Sequence, residues 1–184
     1  VRVMEPTATG DALRAYFEQA EHRLIHKWMH FFEIYDRHFA KFRGKPVSVL
    51  ELGVYHGGSL QMWKHYFGPQ AEIIGVDINP RCATLAEPGI EIVIGDQEDR
   101  QFHASLRARY GDFDIVIDDG GHTMGQQITS FEELFGPLNE GGVYLAEDLH
   151  TSYMEPSRCD DTLREGGFTQ VCRSRGASVW TQIG

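Results

Sequence analysis

Positive charge is scarce in this 184-residue chain: 17 Lys and Arg stand against 27 Asp and Glu, a formal net charge of −10. A grip on nucleic acid through phosphates needs clustered Lys and Arg, so no nucleic-acid partner is expected. Long apolar runs are absent. No stretch approaches the ~20 residues of a membrane span, and no basic start followed by a short apolar core marks a secretory leader. Cysteine is sparse: Cys82, Cys159 and Cys172 are odd in number and form no CxxC. Such a set reads as reduced thiols in a cytoplasmic protein. The GxGxxG turn of dinucleotide-binding folds is missing too. The chain opens on Val1 rather than Met and so reads as lacking its own start.

What is present suits a single domain over residues 1–184, long enough for a full core. Residues 1–45 read as a helical segment, 46–153 as a ligand-binding core and 154–184 as an irregular tail. Over about 11–42, Leu13, Phe17, Ala20, Leu24, Trp28, Phe31, Tyr35, Phe39 and Phe42 recur at helical spacing, which fits one long helix or two with a bend. Gly44 and Pro46 stop it. Strands are then expected at 47–52, 72–76, 90–94, 113–117 and 142–146, with helices at 59–67, 99–110 and 128–135 between them. Alternating β and α units imply an α/β fold, a doubly wound, mostly parallel sheet with helices on both faces. The expected strand order is 3-2-1-4-5, with the first and fourth strands adjacent at the switch point. In the tail only residues 178–183 read as a weak strand.

Two acidic pairs close two of the strands. Asp118-Asp119 ends the run from Phe113 to Ile117, and Glu147-Asp148 ends the run from Gly142 to Ala146. Ligands of open α/β sheets bind outside the carboxyl ends of the strands. Neighbouring strands lie roughly 4.8 Å apart, so adjacent strands would bring the two pairs together. No Lys or Arg lies within either run or just after it, and His122 and His150 are the nearby candidates for positive charge. Packed carboxylates without a cation repel and resist desolvation. A bound metal would resolve that.

The first strand runs into Glu51-Leu-Gly53-Val-Tyr55-His-Gly57-Gly58-Ser59, a glycine-rich turn from strand to helix. Glycines let the backbone approach a ligand, and the helix start offers free N–H groups; a plain tight turn is the alternative. Glu51 puts negative charge there, which suits a cationic or zwitterionic ligand better than a phosphate. Asp77 ends the second strand, where a carboxylate can accept from both hydroxyls of a ribose. With the glycine turn, it points to an adenosine-bearing ligand. Gly95-Asp96-Gln97 ends the third strand, and Asp96 or Gln97 can meet an adenine edge or cap the next helix.

His122 follows Asp118-Asp119-Gly120-Gly121, whose glycines permit a tight turn that projects the imidazole toward the ligand edge. Histidine ordinarily titrates near neutrality, as a general base requires. His22, His26 and His30 are four apart and mimic a metal stripe, but such a stripe on an amphipathic helix is more often surface or packing.

Together these pieces resemble class I methyltransferases that use S-adenosylmethionine. They resemble most the metal-dependent macrocin-type sugar O-methyltransferases of macrolide biosynthesis. The resemblance rests on Leu50-Glu51-Leu52-Gly53-Val54, Gly75-Val76-Asp77, Gly95-Asp96-Gln97, Ile117-Asp118-Asp119-Gly120-Gly121-His122 and Glu147-Asp148-Leu149-His150-Thr151-Ser152-Tyr153. It covers about residues 26–153 and includes Lys27-Trp28-Met29-His30-Phe31-Phe32, so Trp28, His30 and Tyr35 are expected to face the site. It implies Mg²⁺, or a similar divalent cation, on Asp119, Glu147 and Asp148, with His122 as general base. The cofactor would meet Glu51, Gly53, Tyr55, Gly57, Gly58, Ser59, Asp77, Asp96, Gln97 and Asp118. The implied reaction is O-methyl transfer to a hydroxyl of a sugar or glycosylated metabolite. The class normally adds two strands after the fifth; residues 154–184 are too few and irregular for both, so a truncated or altered member is expected. An open sheet edge there would invite a homo-oligomer. The rival readings are a catechol-like small-molecule O-methyltransferase, a non-catalytic cofactor-binding remnant and, disfavoured by the missing GxGxxG, a nucleotide-binding oxidoreductase.

Overall fold

A computed structural model describes residues 11–21, 23–149 and 167–175. In β1 (Val47–Leu52) every position but Ser48 and Glu51 is apolar. Successive side chains leave a strand on opposite faces, so Val47 and Val49 enter one core and Leu50 and Leu52 another. A strand with two apolar faces must lie inside a sheet covered on both sides. The observed sheet meets that demand. It has five strands, all parallel, in the order β3-β2-β1-β4-β5. The others are β2 (Ala71–Asp77), β3 (Ile90–Ile94), β4 (Ile115–Asp118) and β5 (Val143–Ala146). The expected order and parallel sense are both found.

Three helices cover one face: α1 (Asp11–Gln19), α2 (Phe31–Phe39) and α3 (Gly58–Phe67). Leu13, Tyr35, Phe39, Trp63 and Phe67 pack there on Val49, Ile73 and Ile115. The opposite face carries α4 (Arg100–Tyr110) and α5 (Met124–Leu134), whose Leu106 and Leu134 meet Leu50, Leu52 and Val116. The Asp99 side chain accepts from the Gln101 N–H and starts α4. A capping box of Thr123 and Gln126 starts α5 one turn before the expected 128. That box was readable in the sequence as Thr-x-x-Gln.

The N-terminal helix is not continuous to Phe42. Residues 20–21 and 23–28 leave helical geometry between α1 and α2, and Leu24, His26 and Lys27 reach the cavity at the carboxyl edge of the sheet. Arg23 donates to the Leu85 carbonyl at 3.0 Å and pairs with Glu87 at 3.0 Å. The Leu24 carbonyl lies over Gly58 so closely that a Cβ there would stand 2.4 Å from it. These anchors outweigh the helical periodicity, and the supposed stripe of His26 and His30 dissolves with the helix; His22 lies outside the described residues. The tail, expected to be irregular, holds a helix, α6 (Phe168–Ser174), whose Phe168 and Cys172 pack on Met124 and Phe131 of α5. The expected strand at 178–183, Tyr153, Cys159 and His150 lie outside the described residues. Cys82 and Cys172 are free, buried thiols.

Candidate active site

Register decides which side chains meet at the carboxyl edge. Leu52 of β1 stands beside Asp118 of β4, and Asp118 beside Ala146 of β5. One residue further on lie Gly53, Asp119 and Glu147. The Asp119 N–H donates to the Leu52 carbonyl at 3.0 Å and the Glu147 N–H to the Asp118 carbonyl at 2.8 Å. By strand alternation Asp119 and Glu147 project toward the α1–α3 face, as Glu51 does two residues before Gly53. Three carboxylates therefore converge on one side of the sheet. Gly53 makes the approach possible: its φ is +93°, and a Cβ on it would stand 2.0 Å from the Asp119 carbonyl oxygen.

The expectation that no cation of the chain meets these acids is corrected. Lys27, from the segment between α1 and α2, places its Nζ 2.7 Å from Asp119 Oδ2, 2.8 Å from Glu147 Oε1 and 3.2 Å from Glu51 Oε1. Its side chain is 1% exposed. Tyr35 donates its hydroxyl to Glu147 Oε1 at 2.7 Å, and Ser59 donates to Glu51 Oε2 at 2.8 Å. Burial lowers the Lys27 ammonium's affinity for its proton, but Glu147 and the other anionic neighbours more than reverse this and hold it well above its ordinary value. Burial raises both glutamates, Glu147 to about 7, against the pull of Lys27. The charge of Glu51, expected to meet a ligand, is thus met inside the protein.

Asp148 turns the other way, with φ +52°. Its Oδ1 accepts from Trp28 Nε1 at 3.1 Å, and its Oδ2 lies 3.8 Å from His122 Nε2. The same nitrogen lies 3.8 Å from Asp119 Oδ1. Asp119, His122 and Asp148 each bring a ligand-capable atom into a group whose members are all within 4.8 Å of one another. Two hard oxygens beside an imidazole fit a divalent ion. Glu147, expected in that ion's shell, is placed instead against Lys27 and Tyr35. Of the residues expected to face the site, Trp28 does so through Asp148, Tyr35 lies buried behind Glu147, and His30 stacks against Trp28 and Phe31.

A cavity of about 490 Å³ adjoins this group, within the range of small-molecule sites. Gly53, Tyr55, Ser59, Asp77, Asp96 and Gln97 line it together with Asp119, His122 and Asp148. Asp77 Oδ2 accepts from the N–H groups of Val54 and Tyr55 at 2.9 and 3.1 Å, and Oδ1 from Asn79 at 2.8 Å. Burial would raise its carboxyl, but these three donors win and lower it. Oδ2 already accepts two N–H groups, whereas Oδ1, with one backbone donor, keeps acceptor capacity for a ligand hydroxyl. Among the described residues, three non-glycine residues have positive φ, Tyr55, His122 and Asp148, and all three line the cavity. Such conformations concentrate at functional sites.

Four residues expected at the cofactor do not line the cavity. Glu51 is tied to Lys27 and Ser59. Gly57 forms the left-handed cap of α3 at φ +73°, and Gly58 backs onto Leu24. Asp118 is fully buried, accepting from Gln97 Nε2 at 2.6 Å and the Tyr144 hydroxyl at 2.7 Å. Gln97 also accepts from the Gly121 N–H at 3.0 Å, so its amide ties the His122 loop to β4. Sequence reasoning missed Lys27 and the support from Tyr35. The one signal was a lysine set beside Trp28 and Phe31 in an otherwise apolar pattern.

A tetracenomycin 3'-O-methyltransferase of Streptomyces olivaceus, acting on an 8-(2-methoxy-α-L-rhamnosyl) derivative, is 43% identical over 78% of this chain and 38% of its own. The demethylmacrocin O-methyltransferase of Streptomyces fradiae is 45% identical over 71% of this chain and 35% of its own. The chain thus spans little more than a third of these relatives' length. The solved structure of MycE methyltransferase from the mycinamycin pathway, in complex with Mg, S-adenosylhomocysteine and mycinamycin VI, superposes with a TM-score of 0.72 at 34% identity. That match covers 92% of this chain and 45% of MycE. The sequence profile of FtsJ-like methyltransferases matches residues 22–149, well over half of the chain, and the protein belongs to that family.

Proposed function

We propose that this chain is the catalytic core of an S-adenosylmethionine-dependent O-methyltransferase acting on a hydroxyl of a sugar or glycosylated natural product. The observation that carries the reading is the position of His122. Its Nε2 stands 3.8 Å from a carboxylate oxygen of both Asp119 and Asp148, on the wall of the cavity that Asp77 and the glycine turn also line. A base, a hard-ion site and an adenosine-sized cradle therefore share one space. Two relatives at 43% and 42% identity support the acceptor class, because they are named as O-methyltransferases of a rhamnosyl tetracenomycin and of mycinamicin VI; a relative at 32% identity is instead a ribosomal RNA large subunit methyltransferase. The acidic balance of the chain supports a small molecule over nucleic acid. Among the described residues no helix is long and apolar enough to cross a membrane.

In this reading Asp77 takes the ribose hydroxyls, and Gly53, Tyr55 and Ser59 form the wall beside the methionine part. Asp96 and Gln97 form the rim at the adenine. Asp119 and Asp148, with Glu147 behind them, hold a divalent ion such as Mg²⁺. Bound there, the ion would lower the pKa of the acceptor hydroxyl and orient it. His122 takes the hydroxyl proton as the oxygen–methyl bond forms and the sulfur–methyl bond breaks, leaving S-adenosylhomocysteine as the thioether. Methyl transfer from a sulfonium is an in-line displacement, so much of the catalysis is positioning.

Calorimetry with S-adenosylmethionine and turnover on glycosylated acceptors test this together. EDTA should abolish turnover while cofactor binding persists, and Mg²⁺ should restore it. His122→Ala should lower kcat by about 10²–10⁴-fold, the scale of a general base, with cofactor affinity unchanged. Full turnover in EDTA would remove the metal from the mechanism. Wild-type turnover by His122→Ala would require another base.

A further inference from the structure

The acidic cluster has more negative charge than its one ammonium can balance. Glu51, Asp119 and Glu147 surround Lys27 Nζ within 3.2 Å, and Asp148 adjoins them through His122. Each carboxylate on Lys27 uses one oxygen for it. Asp119 gives Oδ2 and keeps Oδ1 toward His122; Glu147 gives Oε1, which Tyr35 also holds. Lys27 is almost wholly buried, so it carries out of water a charge that would otherwise stay solvated. Burying an ion is unfavourable unless partners replace the water. Among the described residues its ion-pair partners are the three carboxylates, with the faces of Tyr35 and Trp63 6.0 Å away, so the ammonium stands where the cluster demands a cation.

We propose that Lys27 is a positioning residue and resident counter-ion of this centre, an internal cation that keeps the cluster folded without a divalent ion and competes with that ion for Glu147 and Asp119. This rests on the metal site of the proposed function, not on its acceptor or its cofactor. The reason for competition is electrostatic. An ammonium 2.7 Å from one oxygen of Asp119 repels any cation bound at the other oxygen of the same carboxylate. Inside a protein such repulsion is far stronger than in water. Supporting residues around a metal usually strengthen binding by orienting its ligands. Here a like charge held by the same carboxylate opposes that gain. The ligand set expected from the sequence, with Glu147 in it, and the observed one, with Glu147 on Lys27, then differ by which cation holds Glu147.

The test compares the whole protein with Lys27→Met, which keeps an unbranched side chain one atom shorter and removes its charge. Thermal unfolding is recorded in EDTA and in Mg²⁺, and Mg²⁺ affinity is measured by calorimetry, both without acceptor. In EDTA Lys27→Met should melt well below the wild type, and Mg²⁺ should restore most of the loss. Its Mg²⁺ affinity should rise at least about tenfold, the sign opposite to that of a lost supporting residue. Equal destabilisation in EDTA and Mg²⁺, with affinity unchanged or weakened, would show that Lys27 is a packing element and overturn the proposal. If Lys27→Met is insoluble in both conditions, the double variant Lys27→Met/Glu147→Gln decides, because it removes one charge of each sign. Recovery of stability in EDTA supports the proposal, and failure to recover overturns it. A metal response gained by Lys27→Met while the wild type binds no Mg²⁺ would support the counter-ion and defeat the metal part of the proposed function.

Discussion

Around Asp77 the carboxyl edge of the sheet is held by backbone donors that are close in sequence. The N–H groups of Val54 and Tyr55 come from 23 and 22 residues away, and that of Asn79 from 2. Around Glu147 the same edge is held by side chains from far away, Tyr35 at a separation of 112 residues and Lys27 at 120. The first half is a strand–turn–helix unit facing its neighbour strand, and its polar groups are satisfied as soon as β1 and β2 pair. The second half is a set of buried carboxylates that stays unsatisfied until the segment before α2 docks across the sheet. Half of the site is thus a property of local turns, and the other half a property of the assembled fold.

Gly53 is the seam between the halves, and the largest effect on stability is expected there. Its φ of +93° suits glycine, and a Cβ would meet the Asp119 carbonyl oxygen at 2.0 Å, backbone that cannot swing away as a side-chain tip would. Gly53→Ala should destabilise the protein by roughly 2–4 kcal/mol through strain and a forced shift of β4. Cofactor and Mg²⁺ affinities should fall together, measured by chemical unfolding and two calorimetric titrations. Loss of one ligand with the other intact would show that the halves are independent.

This division also explains what could be read from the residues alone. β1 and β3 were expected with the bounds observed, 47–52 and 90–94, because each is a short apolar run bounded by Gly and Pro; β1 lies inside the sheet and β3 at its edge. Alternating elements implied the parallel sense, and the resemblance to the methyltransferase class supplied the strand order. Asp77 was legible because its partners are local. Lys27 was not, because nothing in the spacing of Lys27 and Glu147 states that residues 23–28 leave the helix and reach the edge. The acidic pairs do meet a cation, but it comes from 92 and 120 residues away in the sequence. Asp118 and Asp119 differ in role for the same reason. Strand alternation sends one into the core beneath the loop and the other toward the α1–α3 face, whereas the resemblance set both at the ligand edge, Asp119 on the ion and Asp118 on the cofactor.

The next effect separates the halves. Asp77→Ala removes a shared acceptor from the turn and should weaken S-adenosylmethionine binding by roughly 1–3 kcal/mol, the cost of leaving polar partners unpaired. Mg²⁺ affinity should not change, because no Asp77 contact reaches Lys27, Asp119 or Asp148. Unchanged cofactor affinity in calorimetry would take Asp77 out of the site. Weakened Mg²⁺ binding would mean that the turn also orients the acidic half.

The smallest effect is expected from Asp118, which lies beneath the seam. Burial pushes its carboxyl up to about 7, with Asp119 adding to the rise, despite the hydrogen bonds from Tyr144 and Gln97. In the unfolded chain the same group titrates near 4. Between these values the folded protein holds a proton that the unfolded chain has released, so protonation favours folding. Stability should therefore decline as pH rises from about 4 to about 7, and Asp118 should add no further slope above that. The damped size expected for a buried group that keeps its hydrogen bonds is roughly 1–2 kcal/mol. Asp118→Asn has nothing to titrate and should flatten that part of the slope. Urea unfolding of both proteins across this range, with EDTA throughout, isolates the difference, because Glu147 slopes the same way in each. If the variant keeps the full wild-type slope, the proton is taken up on the Lys27 side of the sheet instead, and the pH response belongs to the acidic half alone.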